Sequence, residues 1–298
     1  MGIKVIEPCE LDVVFLSFDE PKADEFYQTL LAQTDGRAKH VSGVVGFDAA
    51  HKAAARAAST EYFVLVDGDS LVYDAFWSLR MRVPLPHQDA GAFSFCARNV
   101  VNDLCYGYGG LKIWNRDFVF SMRTHENSDS TNTAFEFCWL PDYRHFASIW
   151  NDTHINQSPQ QAFRAGYREV FKLMCPECQP SKFEDLSFYV QRKVVQWCTV
   201  GADAPNGMFV LAGANAAFTH LNSSNSDAVG PSINSYDYLD ALFTEASSLI
   251  RVGDATSVLS SFQILSSEQS LQVKKYVRHQ RWERPPLSAL TPCEYSTE

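Results

Sequence analysis

Residues 62–70 read YFVLVDGDS: five apolar residues from Tyr62 to Val66, then two carboxylates around one glycine, Asp67-Gly68-Asp69. A continuous apolar run of this length, closed by polar residues, predicts a strand buried on both faces. Before it, residues 48–58 (DAAHKAAARAA) predict an Ala-rich helix with Asp48 as its N-cap, and residues 38–45 (AKHVSGVV) predict a strand. Residues 22–33 predict a helix with Phe26, Leu30 and Gln33 on one face. Val13-Val14-Phe15-Leu16 predicts a first buried strand, ending in the polar loop Ser17-Phe18-Asp19-Glu20-Pro21. Strand, helix, strand, helix, strand is the signature of a mostly parallel α/β sheet.

Beyond the D-G-D, residues 91–97 and 109–114 predict two strands around Tyr106-Gly107-Tyr108-Gly109-Gly110, and the alternating aromatics of 134–150 predict more. Residues 158–173 predict a helix with Pro159 at its first turn, where a missing N–H is harmless, and Phe163, Tyr167, Val170 and Phe171 on its apolar face. A helix over 185–198, a loop over 221–236 and helices over 236–252 and 255–280 follow. The expected organisation is an α/β domain over 1–225 and a C-terminal helical extension over 226–298.

The 298 residues are 46% hydrophobic and carry a net charge of −10, which excludes a disordered chain and a uniformly basic nucleic-acid coat protein. No apolar run reaches the ~18 residues of a membrane span, and the first residues, MGIKVIEPCELD, carry acids where a signal peptide is apolar. The expected location is the cytoplasm, with no membrane partner. Of the eight cysteines, Cys96, Cys138 and Cys198 sit in apolar runs and read as small hydrophobes. Cys175 and Cys178 form a C-x-x-C without a second pair, so free thiols are favoured over structural zinc.

The D-G-D carries the chemistry. Ligands of open α/β sheets bind outside the carboxyl ends of the strands. Two carboxylates there, with Gly68 allowing close backbone approach, suit a hard divalent cation that neutralises a diphosphate. The plainer alternative is a polar turn with exposed acids. Other groups have equally plain alternatives as solvated faces: Arg164, Arg168 and Lys172 on one predicted helix, and residues 274–284 (KKYVRHQRWER), where basic residues interleave with Tyr276 and Trp282.

The order DVVFLSFDEP, helix, VSGVVGFDAAHKAAARAAS, YFVLVDGDS resembles the nucleotide-sugar half of a GT-A glycosyltransferase, a Rossmann-like α/β fold. The blocks NDLCYGYGGLKIW (102–114), DTHINQSPQQAFRAGYREVFKL (152–173) and WCTVG (197–201) are similar to glycosyltransferase-like proteins of tailed phages, some associated with glycosylating modified DNA bases. The resemblance covers about residues 12–220 and implies Mn²⁺ or Mg²⁺ on Asp67 and Asp69, a UDP-sugar donor, and host cytoplasm as the location if the chain is phage-encoded. Ser17, Phe18 and Asp19 would line the uracil and ribose site, and His51 or Lys52 would reach a phosphate. Tyr108, Gly109 and Gly110 would wall the donor sugar from the acceptor. Asp152 would be the general base of an inverting enzyme, with His154 or His220 completing the metal shell. Arg164, Arg168 and Lys172 would contact the donor diphosphate or an anionic acceptor.

The acceptor implied is a hydroxyl, with a hydroxymethylated pyrimidine of DNA, contacted through 274–284, as the specific candidate. Alternatives are a glycan or protein acceptor, a nucleotidyltransferase or pyrophosphorylase, and a non-catalytic binding protein on a degenerate transferase fold. The pyrophosphorylase class carries a basic Gly-rich loop after the first strand, where this chain has the acidic SFDEP.

Overall fold

The computed structural model describes residues 4–83, 90–107, 109–124, 127, 142–176, 179–222, 233–251 and 262–282, without the side chains of 249–251 and 278–282. The described residues divide into two compact units: residues up to Arg98 with Cys105–His154, and Asn99–Leu104 with the residues from Ile155 onward. Among the described residues this division comes after His154. The physical reason is that the helix predicted over 158–173 packs on later helices of the second unit.

The first unit builds β1 (Lys4–Ile6), β2 (Asp12–Ser17), α1 (Ala23–Gln33), β3 (Lys39–Ser42), α2 (Phe47–Ala57), β4 (Tyr62–Asp67), β5 (Ser70–Val72), β6 (Met81–Val83), β7 (Ala92–Asn99), β8 (Cys105–Tyr106), β9 (Leu111–Asn115), α3 (Arg116–Ser121) and β10 (Tyr143–Thr153). The main sheet runs β3-β2-β4-β9-β7-β10-β5, with β8 on β7, and β1 and β6 form a separate antiparallel pair. β2 is parallel to β3 and to β4, with Val14 opposite Lys39 and Leu65. β9 is antiparallel to both β4 and β7. Thus β3, β2, β4 and β7 share one direction, with β9 running antiparallel between β4 and β7.

Both faces of the central strands are covered, which is why their sequences read as unbroken apolar runs. Val13, Phe15, Val64 and Val66 face one core with Phe26 and Leu30 of α1. Val14, Phe63, Leu65 and Trp114 face the other with Ala54 and Ala55 of α2 and Val119 of α3. Phe15 and Phe63 are fully buried, each contributing roughly 1.5–3 kcal/mol relative to exposure. Gln33, the third predicted face residue of α1, donates to the Val72 carbonyl at 2.9 Å and to Asp74 at 2.7 Å. Asp48 is not the N-cap of α2. Gly46 holds that position at φ 94, without a side-chain cap. Asp48 sits in the first turn, where a negative charge suits the helix dipole, and pairs with Lys52 at 2.6 Å.

The second unit holds α4 (Pro159–Leu173), α5 (Phe188–Thr199), α6 (Gly207–Asn222), α7 (Tyr236–Arg251) and α8 (Ser267–Trp282). Ser158 caps α4 by accepting from the Gln161 amide, and Phe163, Tyr167, Val170 and Phe171 are buried as the sequence predicts. α6 was not predicted. It crosses α4 at two glycines: a Cβ on Gly166 would strike the Val210 carbonyl oxygen and lie 3.1 Å from the Ala214 nitrogen, and one on Gly213 would strike the Phe163 carbonyl oxygen. The backbones touch there because neither residue has a side chain. The turn Asn99–Leu104 belongs to this unit: Gln196 donates to the Asn102 carbonyl at 2.7 Å, and Gly201 packs on Val101. The segment 134–141, most of the predicted loop 221–236, and 255–261 lie outside the described residues. Among the described residues, no helix is long and apolar enough to cross a membrane.

Candidate functional site

β4 delivers Asp67 at the carboxyl end of the parallel strands, and the chain turns through Gly68 and Asp69 into β5. The turn is held by backbone bonds. The Asp67 amide donates to the Gly110 carbonyl at 2.8 Å, and the His154 amide donates to the Asp69 carbonyl at 2.7 Å. Two glycines press against the pair. A Cβ on Gly68 would lie 2.7 Å from Glu20 Oε2 and 2.8 Å from Ser17 Cβ. One on Gly110 would strike Ser70 Oγ and lie 2.8 Å from Asp67 Cβ. Neither Gly68 nor Gly110 has room for a side chain, and Gly109 packs likewise against Ala97.

The site concentrates negative charge. Burial, then the neighbouring Asp67 and Glu20 carboxylates, push Asp69 up to about 7, with a Ser70 hydroxyl bond and Lys112 acting against that rise. Burial also raises Glu20, whose carboxylate accepts from the Phe18 amide at 2.7 Å. Buried, mutually repelling carboxylates fit a divalent cation. Among the described residues, no group of three or more His, Cys, Asp or Glu is arranged to hold a metal ion. Asp67 and Asp69 are the carboxylates of the turn, and a hard cation can be held by one or two carboxylates completed by substrate oxygens and water.

Several expected residues take other roles. His154 contributes its backbone amide, while its ring packs edge-on against Phe26 at 5.0 Å and its buried Nε2 has no hydrogen-bond partner. Asp152, expected as the general base, accepts from Arg98 Nε at 2.7 Å, from a second Arg98 nitrogen and from the Tyr73 hydroxyl. Its oxygens are occupied by these donors, and it orients Arg98 and Tyr73. His51 is buried against Trp114, with Nδ1 on the Phe47 carbonyl at 2.8 Å, and burial lowers its basicity. The Asp67 carboxylate and the Lys112 ammonium act on it in opposite senses. Lys52 is taken up by Asp48.

At the end of β2, Ser17 is buried and its hydroxyl bonds His40 Nε2 at 2.8 Å and Ser42 at 3.2 Å. Phe18 is 47% exposed beside it, and Asp19 is exposed. Tyr108 lies outside the described residues. Arg164, Arg168 and His220 belong to the helical unit. Arg164 pairs with both oxygens of Asp240 and stacks on Tyr236, Arg168 donates to Asn234 at 3.2 Å, and His220 Nδ1 bonds the Tyr167 hydroxyl at 2.9 Å. Tyr167 and the two acceptors explain these positions as packing of α4 on its neighbours. Lys172 stands in the last turn of α4, where a cation suits the helix dipole. Lys274, expected to meet DNA phosphates, is instead buried in an ion pair with Asp203 at 2.7 Å. Cys175 is buried, and Cys178 lies outside the described residues.

Sequence reading missed Glu20, Arg98, Tyr73 and Lys112. Lys112 left a signal: a lysine between Leu111 and Ile113 inside a predicted strand. It is buried and donates to the Gly109 carbonyl at 2.8 Å.

No protein-family model matches the chain, and no curated protein sequence matches it. Among solved structures, the chain is similar to the mannosyltransferase PcManGT from Pyrobaculum calidifontis in complex with GDP-Man and Mn²⁺, at 13% identity and a TM-score of 0.35, over 95% of this chain and 91% of that one.

Proposed function

We propose that the chain is a metal-dependent glycosyltransferase that moves a sugar from a nucleoside-diphosphate sugar, a UDP-sugar in the first instance, to a hydroxyl acceptor. The observation that carries the reading is Asp67-Gly68-Asp69 at the carboxyl end of β4, clasped by Gly110 and Glu20. In the transfer, the bond from the anomeric carbon to the diphosphate breaks, a bond to the acceptor oxygen forms, and the acceptor loses its proton. Asp67 and Asp69 would hold the divalent cation, which when bound neutralises the diphosphate leaving group. The Gly68 and Gly110 backbones keep side chains out of that space. Phe18 offers an exposed aromatic face at the end of β2, suited to a nucleobase.

The acceptor we propose is a hydroxymethylated pyrimidine in DNA, with Lys275 and the exposed Tyr276 as the described remainder of the basic strip. A base inside a duplex is out of reach, so the target nucleotide must be flipped or single-stranded. The test is nucleotide release from a panel of UDP- and GDP-sugars with and without Mn²⁺, followed by mass spectrometry of nucleosides from hydroxymethylated DNA. Metal-independent release, or none from any donor, overturns the transferase reading. Transfer to a glycan or protein but not to DNA overturns only the acceptor.

A further inference from the structure

On the α2 side of the sheet, β7 presents Ser94 and Cys96, two residues apart and therefore on one face, while Phe93 and Phe95 face the opposite core beside Phe146. Ser94 stands directly opposite Lys112 of β9. On β10, His145 lies against both: Nδ1 is 3.1 Å from Ser94 Oγ and Nε2 is 3.4 Å from Cys96 Sγ. We propose that Cys96, His145 and Ser94 form a reactive-thiol site that takes a small two-electron oxidant of the peroxide class at the Cys96 sulfur. The proposal stands apart from the transferase reading and uses none of the residues that would hold the cation or the donor.

The arrangement has the three parts of an activated nucleophile: a thiol, a base within reach, and a third group that fixes the base. With the Nδ1 proton donated to Ser94, the imidazole presents an unprotonated Nε2 to the thiol. Partial burial and the Lys112 ammonium hold His145 below its usual basicity. Cys198 is the contrast: it is wholly buried, and burial alone pushes its thiol far up. The reagent class follows from access. Cys96 is 8% exposed, whereas the His145 ring reaches solvent. A small oxidant can reach the sulfur, and the imidazole can pass a proton outward.

In the step, Cys96 gives its proton to His145 Nε2 and its sulfur attacks one peroxide oxygen. The S–O bond forms, the O–O bond breaks, and the leaving hydroxide takes the proton from His145 to give water. The sulfur is oxidised by two electrons to a sulfenic acid, and the peroxide is reduced.

The full-length chain is treated with hydrogen peroxide in the presence of dimedone, and labelled cysteines are mapped by mass spectrometry. Cys9, which is exposed, and Cys198 are the internal references. Cys96 is expected to be trapped roughly ten-fold faster than Cys9 or more, and Cys198 not at all. His145→Gln should bring Cys96 down to the Cys9 rate or below without changing the melting temperature. Ser94, as a positioning residue, should show a slower rate in Ser94→Ala and recovery in Ser94→Thr. Labelling of Cys96 no faster than Cys9, or an unchanged rate in His145→Gln, overturns the proposal.

Discussion

Replacing Gly110 by Ala adds one methyl group where the site has least room. Gly110 has an ordinary backbone conformation, so the perturbation is steric. The new Cβ would lie 2.8 Å from Asp67 Cβ and strike Ser70 Oγ. Carbon atoms in contact settle near ~3.5–4.0 Å, so the two groups must part by roughly 1 Å. The Asp67 amide bond to the Gly110 carbonyl, at 2.8 Å, resists that movement, and the displacement passes to the Asp67 carboxylate. A misplacement of about 1 Å in a positioned group costs on the order of 10²-fold, or ~2.7 kcal/mol. Calorimetry of UDP with Mn²⁺ is the assay, and Mn²⁺-dependent affinity should fall between about ten- and a hundred-fold. Gly109→Ala is the control, because its Cβ would meet Ala97 rather than Asp67. It should lower the urea midpoint through overpacking, by about 1–3 kcal/mol, and change the Mn²⁺ dependence much less. Wild-type Mn²⁺-dependent affinity in Gly110→Ala would refute the placement of the cation on Asp67.

At the helix crossing, Gly166→Ala should destabilise by ~2 kcal/mol or more, read as a lowered urea midpoint, because the clash is with backbone, despite a helix-propensity gain of ~1 kcal/mol. A raised midpoint would disprove the crossing. Lys274→Met should cost about 3–5 kcal/mol by leaving Asp203 buried and unpaired, and adding Asp203→Leu should recover most of it; a neutral single variant would show that the pair is not buried. Burial works to raise the Asp12 carboxyl, but bonds from Ser59 and Lys39 outweigh it and lower Asp12 to about 2. Its stabilisation is therefore full above the usual carboxylate range and lost as pH falls through about 2. Discounted for solvent screening, Asp12→Asn should cost roughly 1 kcal/mol at pH 7 and progressively less on acidification, as read from urea midpoints; equal costs at pH 7 and pH 2 would contradict this.

The elements from Val13 to Asp67 were legible because each strand is covered on both faces and each helix has one buried stripe. α6 was not, because GMFVLAGANAAFTHLN is apolar or small nearly all round and shows no helical period. Its partner surface on α4 is set by Gly166, which carries no hydrophobic signal. Within the candidate site, Asp67, Gly68 and Gly110 were legible from local order. Asp152 and His154 were flagged for their place in the chain, but roles depend on where a side chain points. Arg98 and Tyr73 claim the carboxylate of Asp152, and Phe26 claims the ring of His154. Glu20 needed the fold of the SFDEP loop over Gly68 to be seen.

The turn Asn99–Leu104 has a consequence for synthesis. It is made with the strands of the first unit, yet its Asn102 carbonyl is bonded by Gln196, 94 residues further along. At ~5–20 residues per second, a ribosome takes roughly 5–20 s to supply that partner. Through that interval the hairpin between β7 and β8 must tolerate an incomplete turn. A single cut after His154 would likewise give neither fragment its full complement, since the N-terminal piece would carry away the Val101 on which Gly201 rests.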